Sequence, residues 1–140
     1  MTVETTGTLT GVVVRVEPGA GQRYAVLQVT NVGAPIVLEG YSSLQLLDAG
    51  MQALPTNAQW DLAPGPAPVS LPTGAMAAAN LRWSVIAGPG EPTDRPCEPT
   101  PAFLRVTPRS GAGPFVVTWS NGPVCEQGTI HVSAYFAPSD

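Results

Sequence analysis

The chain has 140 residues, of which only 11% are charged, and its net charge is −4. That length fits one domain with a buried core. The six cations are all arginines, scattered without the basic cluster that nucleic-acid phosphates require. No apolar run approaches the ~18 residues that cross a bilayer. Composition therefore argues against nucleic-acid binding and predicts one domain over residues 1–140, with residues 1–7 as a frayed tail.

The first half of the chain shows the period-2 alternation of strands that bury one face. Residues 8–17 place Val12, Val14 and Val16 on one face, and residues 21–48 indicate strand, turn, strand, turn, strand. A hairpin turn then leads into residues 51–54. A helix capped by Ser43 is the alternative for this last part, and Gly50 in its middle would cost ~1 kcal/mol relative to alanine.

The second half contains two long loops with strand patterns between and after them. We expect residues 55–68 and 87–101 to be irregular, because both are rich in proline. Between them, residues 75–86 alternate so that Leu81 and Trp83 face the core and Arg82 faces outward. The alanines there also suit a helix, which remains the alternative. Three further strands are predicted, at residues 103–107, 115–119 and 129–136.

The predicted elements add up to about eight or nine short strands with turn signals at regular intervals. That spacing is typical of a sandwich or barrel and not of an α/β fold. We therefore predict an all-β, immunoglobulin-like sandwich of two antiparallel sheets.

The polar residues form no catalytic or metal-binding pattern that we recognise. His131 is the only histidine, and we expect it on the polar face of the last strand, beside Thr129, Ser133 and Tyr135. Glu91, Asp94 and Glu98 share one loop and could bind calcium, although solvated loop charge is the better interpretation. No nucleophile setting or phosphate-binding loop is present, so the sequence predicts neither an enzyme nor a cofactor.

The three tryptophans lie in different settings. Trp83 and Trp119 are in phase with apolar strand faces, which predicts core packing. Trp60 lies among polar and proline residues in the first long loop. It either covers an open end of the sandwich or, together with Leu62, contacts a partner.

Four segments in this order resemble a known family: GQRYAVLQVTNVGAPIVLEGY, LPTGAMAAANLRW, CEPTPAFLRVTP and VCEQGTIHVSAY. Together they resemble an actinobacterial domain-of-unknown-function family, the one numbered forty-two thirty-two, over roughly residues 8–136. The resemblance implies an exported protein, in many members a lipoprotein anchored outside the cytoplasmic membrane. Typical members carry a second cysteine pair, which is missing here at Val37 and near Thr8. The resemblance implies no catalytic residues.

Cys97 and Cys125 are the only cysteines in the chain. Taken alone they are weak evidence, and two unrelated buried thiols remain an alternative. Each ends a loop just before a predicted strand, so neighbouring strands would bring both to one end of the sheet. The family resemblance retains this pair, and no other thiol competes for either member. We therefore predict a Cys97–Cys125 disulfide, which would require an oxidising compartment.

These observations predict a non-catalytic, extracytoplasmic domain of the cell envelope that binds a protein or an envelope component. Membrane contact is expected only through a lipid anchor outside this sequence. A carrier that holds a small apolar ligand between the sheets is the alternative, and an unrecognised enzyme is the least favoured interpretation. The sequence names neither the partner nor the oligomeric state.

Overall fold

The computed structural model describes residues 9–63, 65–109 and 113–138, so the predicted tail at residues 1–7 lies outside the described residues. The described part contains ten strands and one helical turn. They are β1 (Leu9–Pro18), β2 (Gln22–Asn31), β3 (Ile36–Leu38), β4 (Ser42–Leu47), β5 (Asn57–Asp61), β6 (Val69–Leu71), β7 (Met76–Ser84), β8 (Phe103–Pro108), β9 (Phe115–Thr118), α1 (Cys125–Gly128) and β10 (Thr129–Ser133). The predicted all-β sandwich is confirmed. Among the described residues, no helix is both long and apolar enough to span a bilayer.

The larger sheet has the order β1-β2-β7-β10-β5. The neighbouring strands β2 and β7 are antiparallel. Large inward residues of β2 lie opposite small inward residues of β7, with Leu27 paired to Ala79 and Val29 to Ala77. The alternation in 75–86 therefore produces a strand, as predicted, because alanines fit where the second layer approaches closely. Leu81 and Trp83 are buried in the core, and Arg82 faces outward.

The second layer consists of a three-stranded sheet, β4-β8-β9, and the short pair β3-β6. Buried side chains from both layers form one apolar cluster. Trp83 of the larger sheet meets Trp119, just after β9, with 4.7 Å between ring centroids and 56° between planes. Both tryptophans are buried, which confirms their predicted core role.

Two features of the sheets differ from the prediction. Residues 57–61, which we expected to be loop, form β5 at the edge of the larger sheet, so Trp60 lies on a strand. This strand runs parallel to β10, with Asn57 opposite Thr129 and Trp60 opposite Val132. The sandwich is therefore not purely antiparallel, and its described residues form ten strands in place of the predicted eight or nine. The helical alternative after Ser43 is also excluded, because β4 occupies that segment.

The first and last strands break their alternation. In β1 the pairing with β2 shifts between Val14 and Glu17, and Arg15 has φ of +56°, so the predicted single face of three valines is interrupted by a bulge. In the last strand, regular pairing ends at Ser133, whose Oγ accepts the backbone N–H of Asn80. Tyr135 is therefore buried, and not on the polar face with His131.

Candidate functional site

Trp60 is half-exposed on the edge strand, with 48% of its surface accessible, and Leu62 just beyond the strand is 83% exposed. We expected both to be exposed if they contact a partner, and both are. The Trp60 ring stacks on Tyr41 with 4.4 Å between centroids and 5° between planes. The Arg109 guanidinium lies over the same indole, with Cζ 5.1 Å from the ring centroid, which is the geometry of a cation–π contact. We call Tyr41, Trp60 and Arg109 the Trp60 stack.

The Trp60 stack is anchored in both layers of the sandwich. Tyr41 is buried, and its hydroxyl donates a 3.0 Å hydrogen bond to the carbonyl oxygen of Asp61 on β5. The backbone N–H of Arg109 donates to the carbonyl of Tyr41 at 3.3 Å, just beyond the paired ends of β4 and β8. These contacts already fix the Trp60 indole, so the side chain would lose little conformational entropy when a partner binds. An aromatic anchor that is fixed in advance binds more effectively for this reason.

An open cleft of about 540 Å³ borders the Trp60 stack. Glu39, Gly40 and Pro66 line it together with the three members of the stack. The cleft is therefore a shallow, mixed surface with an aromatic wall and one charge of each sign. Such a surface suits contact with another molecule better than enclosure of a small one.

A charged cluster lies on the outer face of the larger sheet, behind the Trp60 stack. Arg82 donates through Nε and Nη2 to the two carboxylate oxygens of Asp61, at 3.2 and 3.0 Å. The Nδ1 of His131 is 3.7 Å from Asp61 Oδ1. Burial, followed by the nearby Arg82 charge, lowers the pKa of His131 despite that carboxylate, because Arg82 already neutralises it. His131 is therefore uncharged at neutral pH. It is the only histidine in the sequence, so no second imidazole can join it in binding a metal.

Hydrogen bonds to the Glu91 carboxylate hold the loop over residues 87–101 in place, so Glu91 is not simply a solvated charge. The Glu91 carboxylate accepts the backbone N–H groups of Gly88, Glu126 and Gln127 at 2.6, 2.7 and 2.9 Å. Glu126 and Gln127 both have left-handed φ of +57°, so Glu91 fixes a backbone turn that these residues adopt only at a cost. Our interpretation of this loop as merely solvated is wrong for Glu91, which is half-buried and fully engaged.

The Cys97–Cys125 disulfide is present, with 5.5 Å between Cα atoms. A Glu91 carboxylate oxygen and the two sulfurs lie within 4.8 Å of one another, a spacing that would suit a metal. The sulfurs are bonded to each other and cannot act as thiolate ligands. Asp94, the third acidic residue of the predicted calcium set, hydrogen-bonds to the neighbouring Arg95. Asp94, whose side chain is 80% exposed, is therefore solvated loop charge as expected, whereas Glu91 serves the loop's own structure.

The two long loops of the sequence, residues 55–68 and 87–101, do not form one site. The loop 87–101 precedes β8, whereas Arg109 follows it, so the disulfide and the Trp60 stack lie toward opposite ends of that strand. The sequence analysis of Trp60 and Leu62 missed Tyr41 and Arg109. Only the cross-strand pairing of β4 with β8 brings those two together, and no local pattern signals it.

The described cavities, of about 220 to 540 Å³, all open to the surface. Between the two layers, the buried side chains of the core pack against one another. Each of these cavities is therefore a surface feature, and none of them is enclosed between the sheets.

Residues 4–135 match the model of a family described as a domain of unknown function, DUF4232. It is the family that the four sequence segments resemble. No curated protein and no solved structure matches the chain.

Proposed function

We propose that this chain, which belongs to the DUF4232 family of domains of unknown function, is a non-catalytic binding domain. It binds a protein or a component of the cell envelope through the Trp60 stack and the adjacent Leu62. The full-length protein is exported and held at the outside of the cytoplasmic membrane, as a lipoprotein or as a secreted protein.

The observation that carries the proposal is the immobilised, half-exposed indole of Trp60. Tryptophan side chains are highly buried on average. Here the structure instead holds the ring at the surface, between a buried tyrosine and an arginine, with the exposed Leu62 nearby. Tryptophan, tyrosine and arginine are the residue types that dominate binding energy at protein interfaces.

The extracytoplasmic location is supported by the disulfide. A disulfide that closes a loop with a sequence separation of 28 would not persist in a reducing cytosol. Two polar clusters of the described residues are engaged internally, since Glu91 accepts three backbone N–H groups and Asp61 is paired with Arg82. That engagement supports a non-catalytic role.

Site-specific crosslinking tests the proposal. A photo-crosslinking amino acid replaces Leu62, and another replaces the exposed Val37 on β3 as the control position. We expect a discrete crosslinked product with envelope extract from position 62 and none from position 37. In the position-62 protein, Trp60→Ala should remove the product and Trp60→Phe should retain part of it, because phenylalanine can still stack. Equal products from both positions, or a product unaffected by Trp60→Ala in a folded variant, would overturn the proposal.

The location is tested separately. Alkylation of free thiols in intact cells, followed by reduction and a second label, reports the oxidation state of Cys97 and Cys125. We expect both to be protected from the first label. Two free thiols in the cell would contradict an exported domain.

A further inference from the structure

A groove lies on the outer face of the larger sheet, away from the core and from the Trp60 ring. It has a volume of about 360 Å³ and is lined mainly by side chains of β1, β2 and β7. A second hollow of about 220 Å³ continues it and shares Arg15, Val26 and Asn80 as lining residues. Trp60 and Asp61 are consecutive on β5, so their side chains point to opposite faces and the groove is distinct from the Trp60 stack.

An exposed tyrosine lies in the groove. Tyr24 is 47% exposed and lies between Glu17 of β1 and Arg82 of β7, its cross-strand neighbours. The ring rests against Gly19, where a Cβ atom would come within 2.5 Å of Tyr24 Cε2. Because position 19 is glycine, the Tyr24 ring can pack against the backbone there. The rest of the Tyr24 side chain is exposed to solvent.

Three polar side chains around Tyr24 have no partner within the described part of the chain. Arg15, Glu17 and Asn80 line the groove, and their side chains make neither a hydrogen bond nor an ion pair there. Arg15 also has a left-handed backbone at the β1 bulge, with φ of +56°. Bulges of this kind redirect a side chain, and here the bulged residue Arg15 lines the groove.

The charges along the groove cancel. Arg15 and Arg82 are balanced by Glu17 and Asp61, and the last of these is paired bidentately with Arg82. A strongly charged ligand would therefore face as many like charges as opposite charges. The groove instead offers an aromatic surface beside free guanidinium, carboxylate and amide groups, which can both donate and accept hydrogen bonds.

We propose that this groove binds a neutral oligosaccharide. A sugar ring stacks its C–H face on Tyr24, and its hydroxyl groups exchange hydrogen bonds with Arg15, Glu17 and Asn80. The fixed Arg82–Asp61 pair forms the wall nearest β5. This site is independent of the Trp60 stack, so either assignment can fail without the other.

Titration followed by ¹H–¹⁵N NMR tests the assignment on the oxidised domain. The probes are maltohexaose, cellohexaose, chitohexaose and, as a charged control, inorganic phosphate. We expect at least one hexasaccharide to give saturable shifts of the backbone amides of Tyr24, Val26, Asn80 and Arg82. Phosphate should leave those amides unshifted.

Variants then separate a specific site from general surface contact. Tyr24→Ala should weaken the binding roughly tenfold, as expected for loss of an aromatic stack and its area. Tyr24→Phe should retain affinity, Asn80→Ala should weaken it, and Trp60→Ala should leave it unchanged. No saturable shift with any hexasaccharide would overturn the proposal, as would the same shifts with phosphate or unchanged affinity in a folded Tyr24→Ala variant.

Discussion

The carboxyl group of Glu98 is hydrogen-bonded to the carboxylate of Glu91, beside the disulfide. That bond, with burial and the Glu91 charge, raises the pKa of Glu98 to about 7. Burial alone would raise the pKa of Glu91, but the bonds from Glu98 and three backbone N–H groups outweigh it and lower the pKa to about 2. The pair therefore holds one proton over most of the range between those values.

This shared proton predicts a pH-dependent stability. Glu98 has a folded-state pKa above its ordinary value of 4.5, so its contribution is complete below pH 4.5 and is lost as the pH rises through about 7. Glutamine at position 98 mimics the protonated acid and can still donate to Glu91. In urea unfolding, Glu98→Gln should match the wild type near pH 4 and be more stable than it near pH 8.

Asp94→Asn is the matched control, because it removes a carboxylate from the same loop without touching the pair. Its stability should follow the wild-type pH profile. His131 contributes an opposite slope below its ordinary pKa of 6.5, since its folded-state pKa is lowered, but this slope is common to all three proteins. Parallel profiles for wild type and Glu98→Gln would contradict the shared proton.

Local alternation predicts the strands that pack in the middle of the sandwich, but not those defined by distant partners. β7 follows from its pattern because every second residue meets the core. β5 does not, because its five residues are mostly polar and it forms by parallel pairing with β10. In that pairing Asn57 lies opposite Thr129, which is 72 residues later in the chain. Tyr135 was misplaced for a similar reason, since the Ser133 hydroxyl replaces a backbone acceptor and ends the alternation.

The candidate site divides in the same way. The pairing of the cysteines could be predicted from their loop positions and the family resemblance, whereas the sequence left open whether Trp60 covers an end of the sandwich or lies exposed with Leu62. The Tyr41 and Arg109 contacts could not be predicted, because they depend on the register between β4 and β8. The role of Glu91 likewise depends on a turn 35 residues away in sequence, whose N–H groups it accepts.

The disulfide should provide a large share of the stability. For a closed loop with a sequence separation of 28, chain entropy predicts about 3–4 kcal/mol. The double variant Cys97→Ala/Cys125→Ala should therefore lose roughly that much unfolding free energy. Reductant should lower the melting temperature of the wild type and leave that of the double variant unchanged. An effect of reductant on the variant would show that it acts elsewhere.

Gly128 should tolerate no side chain. It has φ of +75°, and a Cβ atom there would overlap the carbonyl oxygen of Pro55. Gly122 also has positive φ, +80°, but a Cβ there would meet nothing within 4 Å. Gly122→Ala should cost roughly 1–2 kcal/mol from the backbone alone, and Gly128→Ala roughly 2–5 kcal/mol because the clash adds to it. Equal losses in chemical denaturation would refute the close approach of Gly128 to Pro55.

The two core tryptophans should respond differently to replacement by phenylalanine. Trp83 is fully buried, and its Nε1 has no hydrogen-bond acceptor among the described residues. Trp119 Nε1 donates to the carbonyl oxygen of Gly122 at 2.9 Å. The volume lost is the same in both variants, so each is the control for the other.

Trp83→Phe removes an unpaired buried donor, which offsets part of its cavity cost, whereas Trp119→Phe also loses a hydrogen bond. Trp119→Phe should therefore be the more destabilising of the two, by about 1 kcal/mol or more in urea unfolding at fixed pH. A Trp83→Phe variant as unstable as Trp119→Phe would mean that the Trp83 N–H is paired in solution.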